Sequence, residues 1–358
     1  MTPIVAALRD PPETLSWTIA QWELLVRQAR SADLLSRLAA LLQQRGLLDQ
    51  VPAAPRTHLL AARTVGEAQE EAVHREVSQV RKALTRIGVE IVLLKGAAYL
   101  YAGLPAAQGR VFSDIDFLVP RAALPQVEAA LMLHGWATTH HEPYDQRYYR
   151  EWMHELPPMQ HVTRQTVLDV HHAIVPLTAR LKPDSAKLLA AARPVPERPG
   201  LKVLAPEDMV LHSAAHLFLN EELSHGLRDL VDLDSLLRHF GGEQGFWTSL
   251  PARAVELDLE RPLRFALRYS NRMLGTPVPT DALSASVSPW MDALFLRALQ
   301  PDHPTAGDGF TPVARWLLYV RAHWLRLPPG RLAYHLAVKA LRKQRERAKP
   351  EQPAPAAR

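Results

Sequence analysis

GRVFSDIDFLV, residues 109–119, sets Asp114 and Asp116 two positions apart in a stretch that otherwise has the β-branched and aromatic texture of a buried strand. Side chains alternate along a strand, so the two acids share one face with Phe112 and Leu118, while Val111, Ser113, Ile115, Phe117 and Val119 share the other. The carboxylates then stand about 7 Å apart along the chain. Both can reach one cation, or a pair of cations about 4 Å apart. Left bare, such a pair repels and one pKa rises; a divalent ion removes the conflict. Hard oxygen donors select magnesium or manganese, which keep waters and take substrate phosphates as further ligands. The competing reading is ordinary surface charge at a solvated strand end near Arg110.

The neighbourhood strengthens the first reading. Upstream, VEIVLL (89–94) reads as a strand and KGAAYLYA (95–102) as a short helix. At that strand-to-helix turn, Gly96 permits close backbone approach, the helix start offers free N–H groups to an anion, and Lys95 adds a mobile positive charge. Downstream, TVLDVHHAI (166–174) reads as a strand with Asp169 and His171 on one face, which makes a third carboxylate available. Between them, 121–135 is expected to be a helix closed by Gly135, with strands at 136–141, 158–163 and 166–172.

Taken in order, LLKGAAYLYAG, RVFSDIDFLV, LDVHHAI and LAPEDMVLHSAAH followed by LRDLVDLDSLL resemble the bacterial family described as uncharacterised nucleotidyltransferases, within the polymerase beta-type nucleotidyltransferase superfamily. The resemblance covers roughly residues 75–240. It implies an α+β fold, a small mixed sheet flanked by helical regions. It also implies an enzyme that moves a nucleoside monophosphate from a triphosphate to an acceptor, either a small molecule or RNA. Asp114, Asp116 and Asp169 would be the catalytic and metal-binding acids of a two-metal mechanism that releases pyrophosphate, Asp114 and Asp116 holding two Mg2+ (or Mn2+) ions and Asp169 completing the site and activating the acceptor hydroxyl. Lys95, Gly96, Arg110, Ser113 and His171 would contact the nucleotide. Arg110 either steadies the triphosphate or pairs with one of the acids. One departure stands out: many superfamily members have Gly-Ser at the first turn, where this chain has Gly96 and Ala97. The alternative is a catalytically silent nucleotide-binding or scaffold protein that keeps the fold.

The flanks read as helical, giving an expected division into 1–88, an α/β core at 89–182, a helical domain at 183–348 and a disordered tail at 349–358. The chain has 358 residues, 47% hydrophobic and 22% charged, with no apolar run long enough to span a membrane. The N-terminus carries no secretory pattern, so the expected location is the cytoplasm. The absence of cysteine excludes disulfides, thiolate nucleophiles and cysteine-held metals. Charge is uneven: residues 315–358 carry +9 and the remainder −4. That basic C-terminal helix is either a contact for nucleic acid or anionic lipid, or a solvated helix running into a tail.

Three further groups have two readings each. His212 and His216, four apart on a helix, are a metal pair or interior histidines bonded to Asp229 or Asp232. Arg228, Asp229 and Asp232 make an ion pair within or between domains, or touch substrate. Tyr144, Tyr148, Tyr149 and Trp152 line a pocket or pack as core.

Overall fold

The computed structural model describes residues 1–283, 286–334 and 338. The fold is α+β, built on one mixed sheet of seven short strands: β1 (Ile91–Leu93), β2 (Ile115–Leu118), β3 (Trp136–Thr138), β4 (Met159–His161), β5 (Val167–His171), β6 (Arg193–Pro194) and β7 (Leu201–Val203). Their spatial order is β3-β4-β5-β2-β1-β7-β6. β2 lies at the centre, antiparallel to β1 and parallel to β5. All residues of β1 and β2 are buried, which is why both read as near-continuous apolar runs. Asp116 is the exception to that texture, and it is buried with them.

Register places the acids. Ile115 and Phe117 pair with Leu168 and Val170, while Asp116 pairs with Asp169 and Leu118 with His171. Paired residues on neighbouring strands point the same way, so one face is apolar and the other carries Asp116, Asp169 and His171.

Helices flank the sheet in sequence on both sides. The long helix Ala53–Thr85 precedes β1, and Arg164 beside the β4–β5 turn donates twice to Glu76 on that helix, at 2.7 Å each. After the sheet, the helix Pro206–Leu219 begins with proline at its first turn, as its sequence predicts. Asp208 in that turn is fully buried and takes a two-pronged bond from Arg253, at 2.7 and 2.9 Å, rather than merely facing the helix dipole. Among the described residues no helix is long and apolar enough to cross a membrane.

The sheet does not stop at residue 182. β7 pairs in parallel with β1, Ile91 opposite Leu201, and β6 forms the edge beyond it, so the stretch expected to be wholly helical from 183 onward supplies two strands. Both are too short to show a period, and PVPERPGLKV carries prolines that read as loop. Pro194 is tolerated because β6 is an edge strand. The helix expected over 329–347 is helical through residue 334. Apart from residue 338, its remainder lies outside the described residues, as does the tail at 349–358.

Candidate active site

Asp114, Asp116 and Asp169 converge: one oxygen from each lies within 4.8 Å of the others. Asp116 comes from the buried middle of β2, Asp169 from β5 beside it, and Asp114 from the partly exposed approach to β2. Ser113 Oγ donates to Asp114 Oδ1 at 2.9 Å and steadies that side chain.

Two cationic or protonatable groups already meet Asp116. Lys95 Nζ donates to its Oδ1 at 2.9 Å, and His171 Nε2 lies 2.9 Å from the same oxygen. Burial alone would push the Asp116 carboxyl up, but Lys95 and His171 overcome it and hold the group well below the usual carboxylate range. Asp169 has no such partner. Burial, then Asp116 and Glu155, push its carboxyl up to about 8, and its Oδ1 is buried without a hydrogen-bond partner. A cluster of hard oxygens with one orphaned oxygen and excess negative charge suits a divalent ion such as magnesium or manganese.

The turn before Asp116 is strained where it meets the site. Lys95 has φ 46°, a left-handed conformation uncommon outside glycine. That conformation starts the short helix Lys95–Tyr101 directly after β1 and keeps the ammonium over Asp116. Gly96 makes a close approach within the chain itself. A Cβ there would lie 2.9 Å from Arg110 Cζ and 3.0 Å from the Phe112 ring, so the close approach is made by this chain's own guanidinium.

Arg110 pairs with neither Asp114 nor Asp116. Its Nε donates to Asp232 Oδ2 at 2.8 Å, and Arg37 Nη2 donates to the other oxygen at 2.8 Å. Arg37 also donates to the carbonyls of Pro105 and Ala106. Asp232 on the helix Gly226–Phe240 therefore clamps the helix Leu35–Gln44 and the residues leading into β2 together, with all three side chains almost wholly buried. Of the two alternatives for Arg228, Asp229 and Asp232, ion pairing is what the structure has: Arg228 Nη2 lies 3.0 Å from Asp229 Oδ1.

The remaining candidates separate. His216 Nδ1 lies 3.4 Å from Asp229 Oδ2, and His212 is buried; neither belongs to a three-residue metal-capable group among the described residues. Trp152 packs with Met153 and Leu327 in a small apolar cluster apart from the main core, flanked by Tyr148 and Tyr149. Tyr149 also feels the site: burial, then Glu155 and Asp169, push its hydroxyl up to about 12.

His154 and Glu155 were missed by sequence reasoning. They sit in a stretch without period between the aromatic segment and β4, and only an isolated antiparallel bridge between Glu155 and His171 brings them to the site.

A small mixed sheet, with Asp116 and Asp169 paired across two parallel strands and Asp114 just before the first, is consistent with a nucleotidyltransferase-like core. The chain belongs to the family described as uncharacterised nucleotidyltransferase, which matches residues 19–275. No curated protein and no solved structure matches it.

Proposed function

We propose that this protein transfers a nucleoside monophosphate from a nucleoside triphosphate to an acceptor hydroxyl, on a small molecule or RNA, with a divalent ion held by Asp114, Asp116 and Asp169. The observation that carries this reading is the pairing of Asp116 with Asp169 across β2 and β5, with Asp114 within reach of both. The ion, magnesium or manganese, would neutralise the transferring phosphoryl group and lower the acceptor's pKa.

The chain's own groups have separate tasks in this reading. Asp169, whose own proton a bound divalent ion would displace, takes the proton of the acceptor hydroxyl as the carboxylate. The acceptor oxygen forms a bond to the α-phosphorus, the bond to the β-phosphate oxygen breaks, and pyrophosphate leaves. Lys95 exchanges Asp116 for the triphosphate, which its flexible stem allows. His171 holds Asp116 in place through Nε2. Ser113 fixes Asp114, and Gly96 leaves room for Arg110, which acts through Asp232 as a positioning residue.

A silent nucleotide-binding protein is favoured by two observations: Ala97 stands where a serine hydroxyl is common, and the Lys95 ammonium already sits on Asp116. Incubation of the chain with each α-labelled triphosphate, Mg2+ and a cell extract separates the two. Transfer of label to one extract fraction supports turnover; nucleotide binding without label transfer or pyrophosphate release supports the silent reading.

A further inference from the structure

Beside the carboxylates, two histidines and a glutamate converge on a second point. Glu155 bridges His171 in antiparallel fashion, Leu156 N–H donates to Val170 O at 2.9 Å, and His172 N–H donates to His154 O at 2.8 Å. Main-chain bonds thus fix His154, Glu155 and His171 side by side before any ligand arrives. His171 Nδ1 is 3.4 Å from Glu155 Oε2, and His154 Nε2 is 3.8 Å from the same oxygen. Ligand atoms from the three residues lie within 4.8 Å of one another. Donors bound at about 2.1 Å to a tetrahedral ion stand about 3.4 Å apart, so one pair already has that spacing and the others need a small contraction.

Hydrogen bonding at this point is incomplete in a way an ion would complete. His171 is buried, its Nε2 is engaged with Asp116 Oδ1, and its Nδ1 has no hydrogen-bond partner. An imidazole that gives one nitrogen to a carboxylate and directs the other to a shared point has the arrangement of a metal-bound histidine. Charge favours a cation too. Asp114, Asp116, Glu155 and Asp169 gather against Lys95, with Arg326 as the other cation facing His154.

We propose that His154, Glu155 and His171 form a second metal site, which takes a first-row divalent ion of the zinc class. Two imidazole nitrogens and one carboxylate select zinc, cobalt or nickel over magnesium, which prefers oxygen donors. Three protein ligands leave a fourth position for water or a substrate group. Asp116 then serves both points, as an oxygen donor on one side and as the acceptor that orients His171 on the other. The site does not depend on nucleotidyl transfer by the neighbouring acids.

The test uses the full chain, stripped by a chelator and refilled with Mg2+ in large excess, then titrated with Co2+ by visible absorption and with Zn2+ by calorimetry. One equivalent is expected to bind despite the Mg2+, at least about tenfold more weakly in His154→Gln. His216→Gln, which lies outside the cluster, is expected to bind as the wild type does. If circular dichroism shows that His154→Gln does not fold, Glu155→Gln takes its place, with the same expected loss. The proposal is overturned by any of three results: no binding in excess Mg2+, equal binding in the wild type and a folded cluster variant, or loss of binding in His216→Gln. The last would put the ion on the His212–His216 helix instead.

Discussion

Arg110 Nε donates to Asp232 Oδ2 at 2.8 Å across 122 residues of sequence, joining the turn before β2 to a helix beyond the sheet. The same carboxylate accepts from Arg37 at 2.8 Å, so two buried guanidinium groups share one acid. Removing it leaves both uncompensated. Asp232→Ala is expected to lower stability by about 3–5 kcal/mol, measured by urea unfolding. A loss under about 1 kcal/mol would show that water or other acids replace it.

Gly96 and Arg110 are expected to be coupled. Gly96→Ala forces a Cβ to 2.9 Å from Arg110 Cζ, and the guanidinium is held there by Asp232. The single change should cost about 1–3 kcal/mol. In an Arg110→Ala background most of that cost should vanish, since the clashing group is gone. Equal costs in both backgrounds would assign the glycine to the Phe112 ring, or to a ligand, instead.

The Asp169 carboxyl, pushed up to about 8, gives the chelated protein a definite pH dependence. The unfolded side chain ionises near pH about 3.9, while the folded one stays protonated to about 8. Stability should therefore fall as pH rises through that window and level off above it. Asp169→Asn should lessen the slope, and shifted neighbours such as His171 account for what remains. Mg2+ should raise the thermal midpoint more above pH about 8 than near pH about 6, because the ion displaces a proton.

Lys95 and a metal ion compete for Asp116. Lys95→Met is expected to tighten Mg2+ binding in calorimetry and to weaken triphosphate binding in the presence of Mg2+. Opposite signs in the two titrations are the signature; weakening of both would make the ammonium a structural brace only.

Much of this arrangement was legible in the sequence, because strand alternation is a strict rule. It put Asp114 with Asp116 and Asp169 with His171, and parallel pairing of β2 with β5 then brought the acids together. The glycine turn was legible as a place of close approach, but not which group approaches, since Arg110 is turned away from the acids by a partner 122 residues on. Long-range ion pairs leave no periodic trace, so Arg37 with Asp232 was invisible. β6 and β7 were hidden by their length and by the prolines around them. His154 and Glu155 escaped because a single bridge, not a repeating pattern, places them.

The most direct measurement is pyrophosphate release from a nucleoside triphosphate with Mg2+ and the extract fraction that accepts label, compared between wild type and Asp116→Asn of intact fold. The account predicts metal-dependent release by the wild type and its loss, by at least about a thousandfold, in the variant, since Asp116 is one of the three converging acids. Equal release by both proteins, or none by the wild type with any triphosphate and acceptor fraction, would contradict it.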